Sequence, residues 1–412
     1  MVPEPGLNGP DPGQPSPSVP PNPGAPVPPQ EPDASAHGWT DQGWPAQPPV
    51  PGYPQPQWGY PPAPYPPAPA YYGVPQPTGP APKPPALPTT PREYHEFFRA
   101  ARYRWWKSLL ALAMFVATWL VGNLVLTGTA LGVDIATGRT KIPTLQPGTS
   151  TEQLMNDIMT PLMFTANNLS LALAIPLAGL TGWAVFGQRP KWISSITGGF
   201  RWGLFARFSM VAVPIFLLGL GVDILLGGMP TFTWNNDSLF LIFAIILTTP
   251  FQAAGEEYGV RGLIARSVGS WFGSRRLGLV VAAVASSALF MVLHAADNVW
   301  LNIYYFTVGL TCSVLIWRTG GLEAAVALHV WNNLISEVTI PFGGLQGMFD
   351  RGANAVGPEI LFQLVFTLSV MAAALWIGRR LGLPRATAPA VPTQAELPGP
   401  GGVFWDSSRT IA

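Results

Sequence analysis

The stretch Ser238-Leu-Phe-Leu-Ile-Phe-Ala-Ile-Ile-Leu-Thr-Thr-Pro-Phe-Gln-Ala-Ala-Gly255 is 18 residues long and carries no charged side chain. It is followed directly by Glu256-Glu257-Tyr-Gly-Val-Arg261. A helix needs ~20 predominantly apolar residues to cross a ~30 Å hydrocarbon core, and this run is close to that length. The stretch therefore predicts a membrane-spanning helix that ends in a cluster of three charges.

Seven further apolar runs lie on either side of this stretch. Five are uncharged, at residues 108–133, 158–188, 277–296, 298–317 and 360–378. The other two contain ionisable or amide side chains: residues 208–228 include Asp223, and residues 322–340 include Glu323, His329, Asn332, Asn333 and Glu337. Residues 91–383 are therefore predicted to form an all-α, polytopic membrane domain with about eight transmembrane helices.

The distribution of basic residues predicts the orientation of these spans. With eight spans and a cytoplasmic N-terminus, 16 Lys and Arg residues of the membrane domain fall on the cytoplasmic side and three on the other. Cytoplasmic loops are enriched in Lys and Arg, so both termini are predicted to be cytoplasmic and the protein to reside in the cell membrane. Because membrane topology explains the basic residues, no nucleic-acid partner is expected.

Proline-rich segments flank the predicted membrane domain. Of the 48 prolines, 33 lie in the first 91 residues. Proline excludes regular helices and sheets there, so residues 1–90 are predicted to be a disordered cytoplasmic tail, and residues 384–412 a second disordered tail. The interspersed Tyr and Trp residues of the first tail could bind a proline-recognition partner, although most such tails are spacers.

Charged residues at the end of the fourth span form the first of three polar groups. Ionisable side chains are costly inside a bilayer and mark functional sites by default. On a helix Glu257 and Arg261 are i,i+4 neighbours that can form an ion pair, which leaves Glu256 as the free carboxylate. The alternative is an ordinary cluster of charges at the end of a membrane helix.

Two further polar groups lie on other predicted spans. Phe290-Met-Val-Leu-His294 ends one span, and His329-Val-Trp-Asn-Asn333 places a histidine and an amide on one helix face, with Glu337 one turn later. Such a helix cannot face lipid all round, so its polar face must line a cavity or another helix. The alternatives are an interfacial histidine in the first case and hydrogen bonds between helices in the second.

Together the three groups form an inventory suited to hydrolysis, and they resemble the signature of a known family. That signature, of the CAAX protease and bacteriocin-processing (Abi) family of intramembrane proteases, is Glu-Glu-x-x-x-Arg, Phe-x-x-x-His and His-x-x-x-Asn/Asp. The resemblance covers about residues 238–340. It implies an endopeptidase similar to type II CAAX prenyl endopeptidases, with the lipid bilayer and a membrane-associated or lipidated peptide or protein substrate as partners.

The resemblance also implies roles for individual residues. Glu256 would activate a water molecule with help from His294, while Glu257 and Arg261 would orient it. His329 and Asn333 would stabilise the oxyanion that forms at the peptide carbonyl.

Metal use is left open by the resemblance. If zinc is bound, its ligands would be Glu256, His294 and His329, with water in the fourth position. The sequence has no His-Glu-x-x-His motif, and a His–Asn pair suits hydrogen bonding better than zinc binding. A metal-free glutamate mechanism without a cofactor is therefore the favoured prediction.

Two other functions and one geometrical requirement complete the predictions. A non-enzymatic membrane factor on the same scaffold, for bacteriocin immunity or secretion, is the main alternative, because a fold does not fix a function. A transporter is the third, although no internal repeat is evident. Catalysis also requires the fourth span to continue as a helix through Arg261, and the turn at residues 295–298 to enter the protein, so that Glu256 and His294 can meet.

Overall fold

The computed structural model describes residues 83–142, 151–345 and 351–387, and these ranges are helical apart from loops and two isolated β-bridges. Their α-helices are α1 (Trp105–Ala136), α2 (Thr151–Ile158), α3 (Pro161–Ala172), α4 (Ala174–Phe186), α5 (Trp202–Gly227), α6 (Ser238–Glu256), α7 (Arg266–Gly269), α8 (Arg275–Leu293), α9 (Val299–Thr319), α10 (Glu323–Ser336), α11 (Ile340–Gly343) and α12 (Gln363–Arg380). A π-helix, Glu257–Ala265, joins α6 to α7. Short 3-10 helices lie at Tyr94–Glu96, Pro190–Ile193 and Pro358–Phe362.

The predicted all-α membrane fold is confirmed. Within the described ranges, seven helical segments are long and apolar enough to cross a membrane: Trp105–Ala136, Pro161–Phe186, Trp202–Gly227, Ser238–Gly269, Arg275–Leu293, Val299–Thr319 and Pro358–Arg380. The eighth predicted span, residues 322–340, contains the 14-residue α10, whose residues Glu323–Val330 are all buried. Protein rather than lipid surrounds this half of α10, which explains why the helix tolerates polar side chains.

Hydrogen bonds near the helix termini define two ends of the bundle. One end, here called the basic end, is held by bonds from Arg275 to Glu96, from Arg201 to Glu323 and from Arg266 to the Ile193 carbonyl. The other is held by bonds from Arg139 to Asp237, from Gln363 to Asp223 and from Asn235 to the Pro341 carbonyl. Since α10 and the turn after it lead from Glu323 to Pro341, this segment also runs from the basic end to the opposite end.

The described chain begins and finishes its helical bundle at the basic end. The backbone N–H of Arg92 donates to Thr387 Oγ1 at 3.0 Å, and the N–H of Thr387 donates to the Arg92 carbonyl at 2.9 Å. Residues 1–82 and 388–412 lie outside the described residues, so the predicted tails and the proline-recognition partner stay predictions. The predicted boundaries at residues 91 and 383 likewise stay predictions.

The segment quoted at the outset continues as one helical stretch beyond its charges. Ser238–Gly269 runs through α6, the π-helix and α7 without a break, as the catalytic hypothesis requires. At Gly255 the backbone comes so close to α3 that a Cβ atom would lie 2.1 Å from the Leu171 carbonyl oxygen. Only glycine permits this approach, which places the following Glu256 and Glu257 inside the bundle.

Candidate active site

Glu257 and Arg261 form a buried ion pair on the π-helix. Arg261 Nη1 donates to Glu257 Oε1 at 3.1 Å, and the side chains are 1% and 0% exposed. The guanidinium carbon also lies 4.4 Å from the centre of the Phe290 ring, close enough for a cation–π interaction. Room for the guanidinium comes from Gly309 of α9, where a Cβ atom would lie 2.9 Å from Arg261 Nη2.

His329 of α10 lies between the two glutamates. Its Nδ1 is 3.0 Å from Glu257 Oε1, and its Nε2 is 3.7 Å from Glu256 Oε2. An ionised carboxylate can only accept a hydrogen bond, so Nδ1 carries the proton that is donated to Glu257. The distance from Nε2 to Glu256 exceeds hydrogen-bond length but still permits electrostatic attraction.

His294 lies at the end of α8, and its backbone and ring are both anchored. Its Nδ1 is 2.7 Å from the Phe290 carbonyl oxygen, so Nδ1 donates and Nε2 is the acceptor nitrogen of the neutral ring. The ring stacks on Tyr305 at 3.9 Å between centroids, and Arg351 donates to the His294 carbonyl at 2.6 Å. The ring of Phe290 contacts both this imidazole and that of His329, so His294 belongs to the same cluster as His329 and Glu256.

In the turn that follows His294, Ala295 and Asp297 are exposed and only Asn298 is buried, so the turn enters the protein at its last residue alone. Ala295 adopts a left-handed backbone conformation with φ of 49°, which ends α8 abruptly. Asn298 is fully buried, caps α9 by accepting from two backbone N–H groups, and donates to the carbonyls of Ala353 and Val356. These bonds satisfy irregular backbone at this depth and hold the histidine end of α8 in place.

Phe290, the first residue of its motif, forms the apolar wall of the cluster. Its ring centroid lies 4.5 Å from that of His294 and 5.6 Å from that of His329, in addition to its contact with Arg261. The ring is 3% exposed, so these contacts are made in the interior of the protein. The aromatic position of the motif therefore packs against three of the polar residues.

Asn333 is hydrogen bonded to Gln252 of α6. Its Nδ2 donates to Gln252 Oε1 at 3.1 Å, and Gln252 Nε2 donates in turn to Glu256 Oε1 at 2.5 Å. Asn333 is therefore connected to the site through the carboxylate of Glu256.

Residues 237–335 match the family model described as Type II CAAX prenyl endopeptidase Rce1-like. The match confirms the family resemblance and includes all six predicted site residues, but it covers about a quarter of the chain. A protein of Bacillus subtilis (strain 168), described as "Uncharacterized protein YyaK", is 26% identical over 153 residues, in an alignment that covers 34% of this chain. The aligned segment spans 50% of the length of that relative. No solved structure matches the chain.

Gln252 is not among the residues that the three motifs predict for the site. The signal was present, because Gln252 precedes Glu256 by four residues and is one of few polar side chains in an apolar run. Glu337, noted only as an extension of a polar face, is 9% exposed and accepts from Thr249 Oγ1 at 2.7 Å. It adds a third carboxylate near the site, on the side towards the end of α10.

The zinc alternative does not fit the arrangement of donors. In the ranges that the structure describes, no three His, Cys, Asp or Glu side chains are grouped as a metal site requires. Glu256, His294 and His329 each keep one oxygen or nitrogen without a hydrogen bond among the described residues, but these three atoms are not grouped as a single ion would require. No step is therefore assigned to a metal.

Proposed function

We propose that this chain is an intramembrane endopeptidase that hydrolyses peptide bonds of membrane-associated or lipidated peptides and proteins. The observation that carries the proposal is a partly exposed carboxylate beside a buried charge cluster, in the segment that resembles the Rce1-like family. The Glu256 side chain is 15% exposed, whereas those of Glu257, Arg261 and His329 are 0–5% exposed. A general base must reach a water molecule, and Glu256 is the member of the cluster that can do so.

In the proposed reaction, Glu256 removes a proton from a water molecule while the water oxygen forms a bond to the carbonyl carbon of the substrate. The carbon–nitrogen bond then breaks, and the proton passes from Glu256 to the leaving amine. His294 assists, because its acceptor nitrogen Nε2 can take a hydrogen bond from the same water.

The buried residues hold the groups that stabilise the oxyanion. Glu257 and Arg261 fix the ring of His329, because His329 Nδ1–H donates a hydrogen bond to Glu257, which is itself paired with Arg261. His329 Nε2 can therefore donate to the oxyanion only when the ring carries both protons. Asn333 has a second amide N–H besides the one that Gln252 accepts, and this N–H is its contribution to the oxyanion site.

We further propose that both termini are cytoplasmic and that the protein resides in the cell membrane. Two observations support this orientation. The chain enters and leaves the described bundle at the basic end, where Arg92 and Thr387 are hydrogen bonded. The same end carries most of the basic residues, as expected for the cytoplasmic side.

A direct test uses the purified full-length chain in lipid nanodiscs and internally quenched reporter peptides, with and without a C-terminal prenyl group. Glu256→Gln is expected to lower cleavage by ~10²–10⁴-fold, the usual contribution of a general base. Glu359→Gln is the matched control, because Glu359 is an exposed carboxylate that accepts from the nearby Gly357 backbone N–H.

The same variants decide between the enzyme and the non-enzymatic alternative. Cleavage by wild type and by Glu359→Gln, with loss of cleavage in Glu256→Gln, supports the endopeptidase. Equal cleavage by all three, or identical membrane peptide profiles in cells that produce each variant, would contradict it and favour an immunity or secretion factor.

A further inference from the structure

We infer that Gln252 is a positioning residue that fixes the carboxylate of Glu256, at the end of a one-way hydrogen-bond chain that starts at Tyr304. The inference rests on the proposed function, because it assigns Gln252 a role in orienting the general base. The chain runs through three helices, α9, α10 and α6, and so couples the base to the packing of the whole site.

The chain consists of four consecutive hydrogen bonds. Tyr304 Oη donates to Asn332 Oδ1 at 3.2 Å, and Asn332 Nδ2 donates to Asn333 Oδ1 at 3.2 Å. Asn333 Nδ2 donates to Gln252 Oε1 at 3.1 Å, and Gln252 Nε2 donates to Glu256 Oε1 at 2.5 Å. Each amide accepts on its oxygen and donates from its nitrogen, so no link is reversed.

The direction of the chain follows from the carboxylate. An ionised Glu256 can only accept, so Gln252 must turn its NH₂ group towards it and its carbonyl oxygen towards Asn333. That carbonyl oxygen requires the NH₂ group of Asn333, and the same argument orients Asn332. Tyr304 can begin the chain because a phenol hydroxyl can donate. The orientation of every amide is therefore set by the charge on Glu256.

The bond from Gln252 makes the two oxygens of Glu256 different. Oε1 is held by Gln252, whereas Oε2 faces His329 Nε2 at 3.7 Å. Rotation about the last side-chain torsion of glutamate is broad and nearly two-fold, so without Gln252 the two oxygens would exchange. Gln252 thus reserves Oε2 for the water molecule and for the proton that it takes up.

A purely structural role for Gln252 makes a different prediction. Amides inside membrane domains often join helices, and loss of such a bond lowers stability without changing the chemistry of another residue. A donor to the ionised base favours its charged form, so loss of that donor must change the pH dependence of the reaction. The acid limb of the pH profile separates the two roles.

The main variant is Gln252→Met, which keeps the length of an unbranched side chain and removes the donor. We expect kcat to fall ~10–100-fold with KM nearly unchanged, and the acid limb of the kcat–pH profile to move to higher pH. Tyr304→Phe removes the first link while leaving the carboxylate contact in place, so it should shift the same limb in the same direction by less. If Gln252→Met cannot be purified in folded form, the pH profile of Tyr304→Phe tests the positioning role instead. An acid limb at the wild-type pH in that variant would then contradict the role.

Asn168→Leu is the matched control, because Asn168 joins α3 to α6 by donating to Thr248 and Thr249 without belonging to the chain. It should lower thermal stability and leave the acid limb unchanged. An active wild type, an inactive Glu256→Gln and a Gln252→Met variant with wild-type kcat and acid limb would overturn the positioning role alone. Equal cleavage by wild type and Glu256→Gln would instead overturn the proposed function.

Discussion

Two buried Glu–Arg pairs in this protein are built very differently. At the basic end, Arg201 gives Glu323 three hydrogen bonds, from its backbone N–H and Nε at 2.9 Å each and from Nη2 at 2.6 Å. In the candidate site, Arg261 gives Glu257 one bond of 3.1 Å. Arg261 Nε and Nη2 are buried without a hydrogen-bond partner among the described residues. Both glutamates are completely buried, whereas the side chain of Arg201 is 19% exposed and that of Arg261 is 1% exposed.

The difference teaches what each pair can do. The donors of Arg201 are directed at Glu323 and at the Thr319 carbonyl, which ties the loop before α5 to the start of α10. The acceptor oxygen Glu257 Oε1 is instead shared between Arg261 and His329. A saturated pair holds two elements together, whereas a pair with unused donors and a shared oxygen also orients a third group, here the imidazole.

The largest expected effect comes from breaking the saturated pair. Arg201→Met leaves the Glu323 carboxylate buried without its main partner, and removal of one member of a buried ion pair costs about 3–5 kcal/mol of stability. Thermal unfolding of the purified protein in detergent should therefore show a large drop in Tm. The double variant Arg201→Met/Glu323→Leu should recover part of the loss, since it removes the uncompensated charge. An unchanged Tm in Arg201→Met would show that the pair does not anchor the bundle.

Breaking the Glu257–Arg261 pair of the site is expected to lower stability less than Arg201→Met does and to lower activity more. Glu257→Gln keeps a carbonyl acceptor near His329 but removes the charge that faces Arg261, which retains its contact with the Phe290 ring. Stability should fall by about 1–3 kcal/mol, the cost of an unpaired buried group. Cleavage of the reporter peptides should fall on the order of 100-fold, because an amide oxygen holds the His329 ring more weakly than an ionised carboxylate does.

Comparison of the two variants sharpens the distinction between the pairs. Arg201→Met protein that remains folded at low temperature should cleave the reporter with nearly wild-type kcat, since Arg201 does not touch the site. The comparison fails if Glu257→Gln lowers Tm as much as Arg201→Met and leaves kcat unchanged.

The sequence predicted the helices and residues of the site better than the hydrogen bonds and ion pairs between them. Apolar runs of membrane length predicted the helices, because a bilayer imposes that length on any sequence. The three motifs predicted residues that the fold brings together from α6 and the π-helix, from the end of α8 and from α10. The first motif predicted Glu257 as a site residue, but sequence spacing could not assign Glu323, another acidic residue in apolar surroundings, to the basic end. Their partners, His329 and Arg201, are 72 and 122 residues away, and only the packing of helices decides such pairings.

The contacts of Asn333 are a second example of what sequence spacing cannot predict. The His329-x-x-x-Asn333 spacing places both side chains on one helix face. It cannot show that Gln252, from another helix, accepts a hydrogen bond from the Asn333 amide and donates one to Glu256. A chain of amides has no sequence signature, because each link depends on side chains that meet only after the helices pack.

The smallest expected effect concerns pH and a second carboxylate at the basic end. Glu96 is buried at the start of the bundle and accepts from Arg92 Nη1 at 2.9 Å and from Arg275 Nε at 2.8 Å. Burial alone would raise the pKa of Glu96, but hydrogen bonds from Arg92 and Arg275 outweigh burial and hold the pKa below its ordinary value of 4.5. The folded state therefore gains stability from ionised Glu96 above pH 4.5 and loses it as the pH falls through the lowered pKa.

Glu96→Gln removes this titration while keeping the shape of the side chain. The Tm difference between wild type and Glu96→Gln should be constant from pH 7 to about pH 5 and should shrink at lower pH, where protonated Glu96 loses the same interactions as the amide. Thermal unfolding at half-unit pH intervals measures it. A Tm difference that stays constant to pH 3 would mean that the bonds from Arg92 and Arg275 do not stabilise the charged form, and that the basic end is held mainly by Arg201 and Glu323.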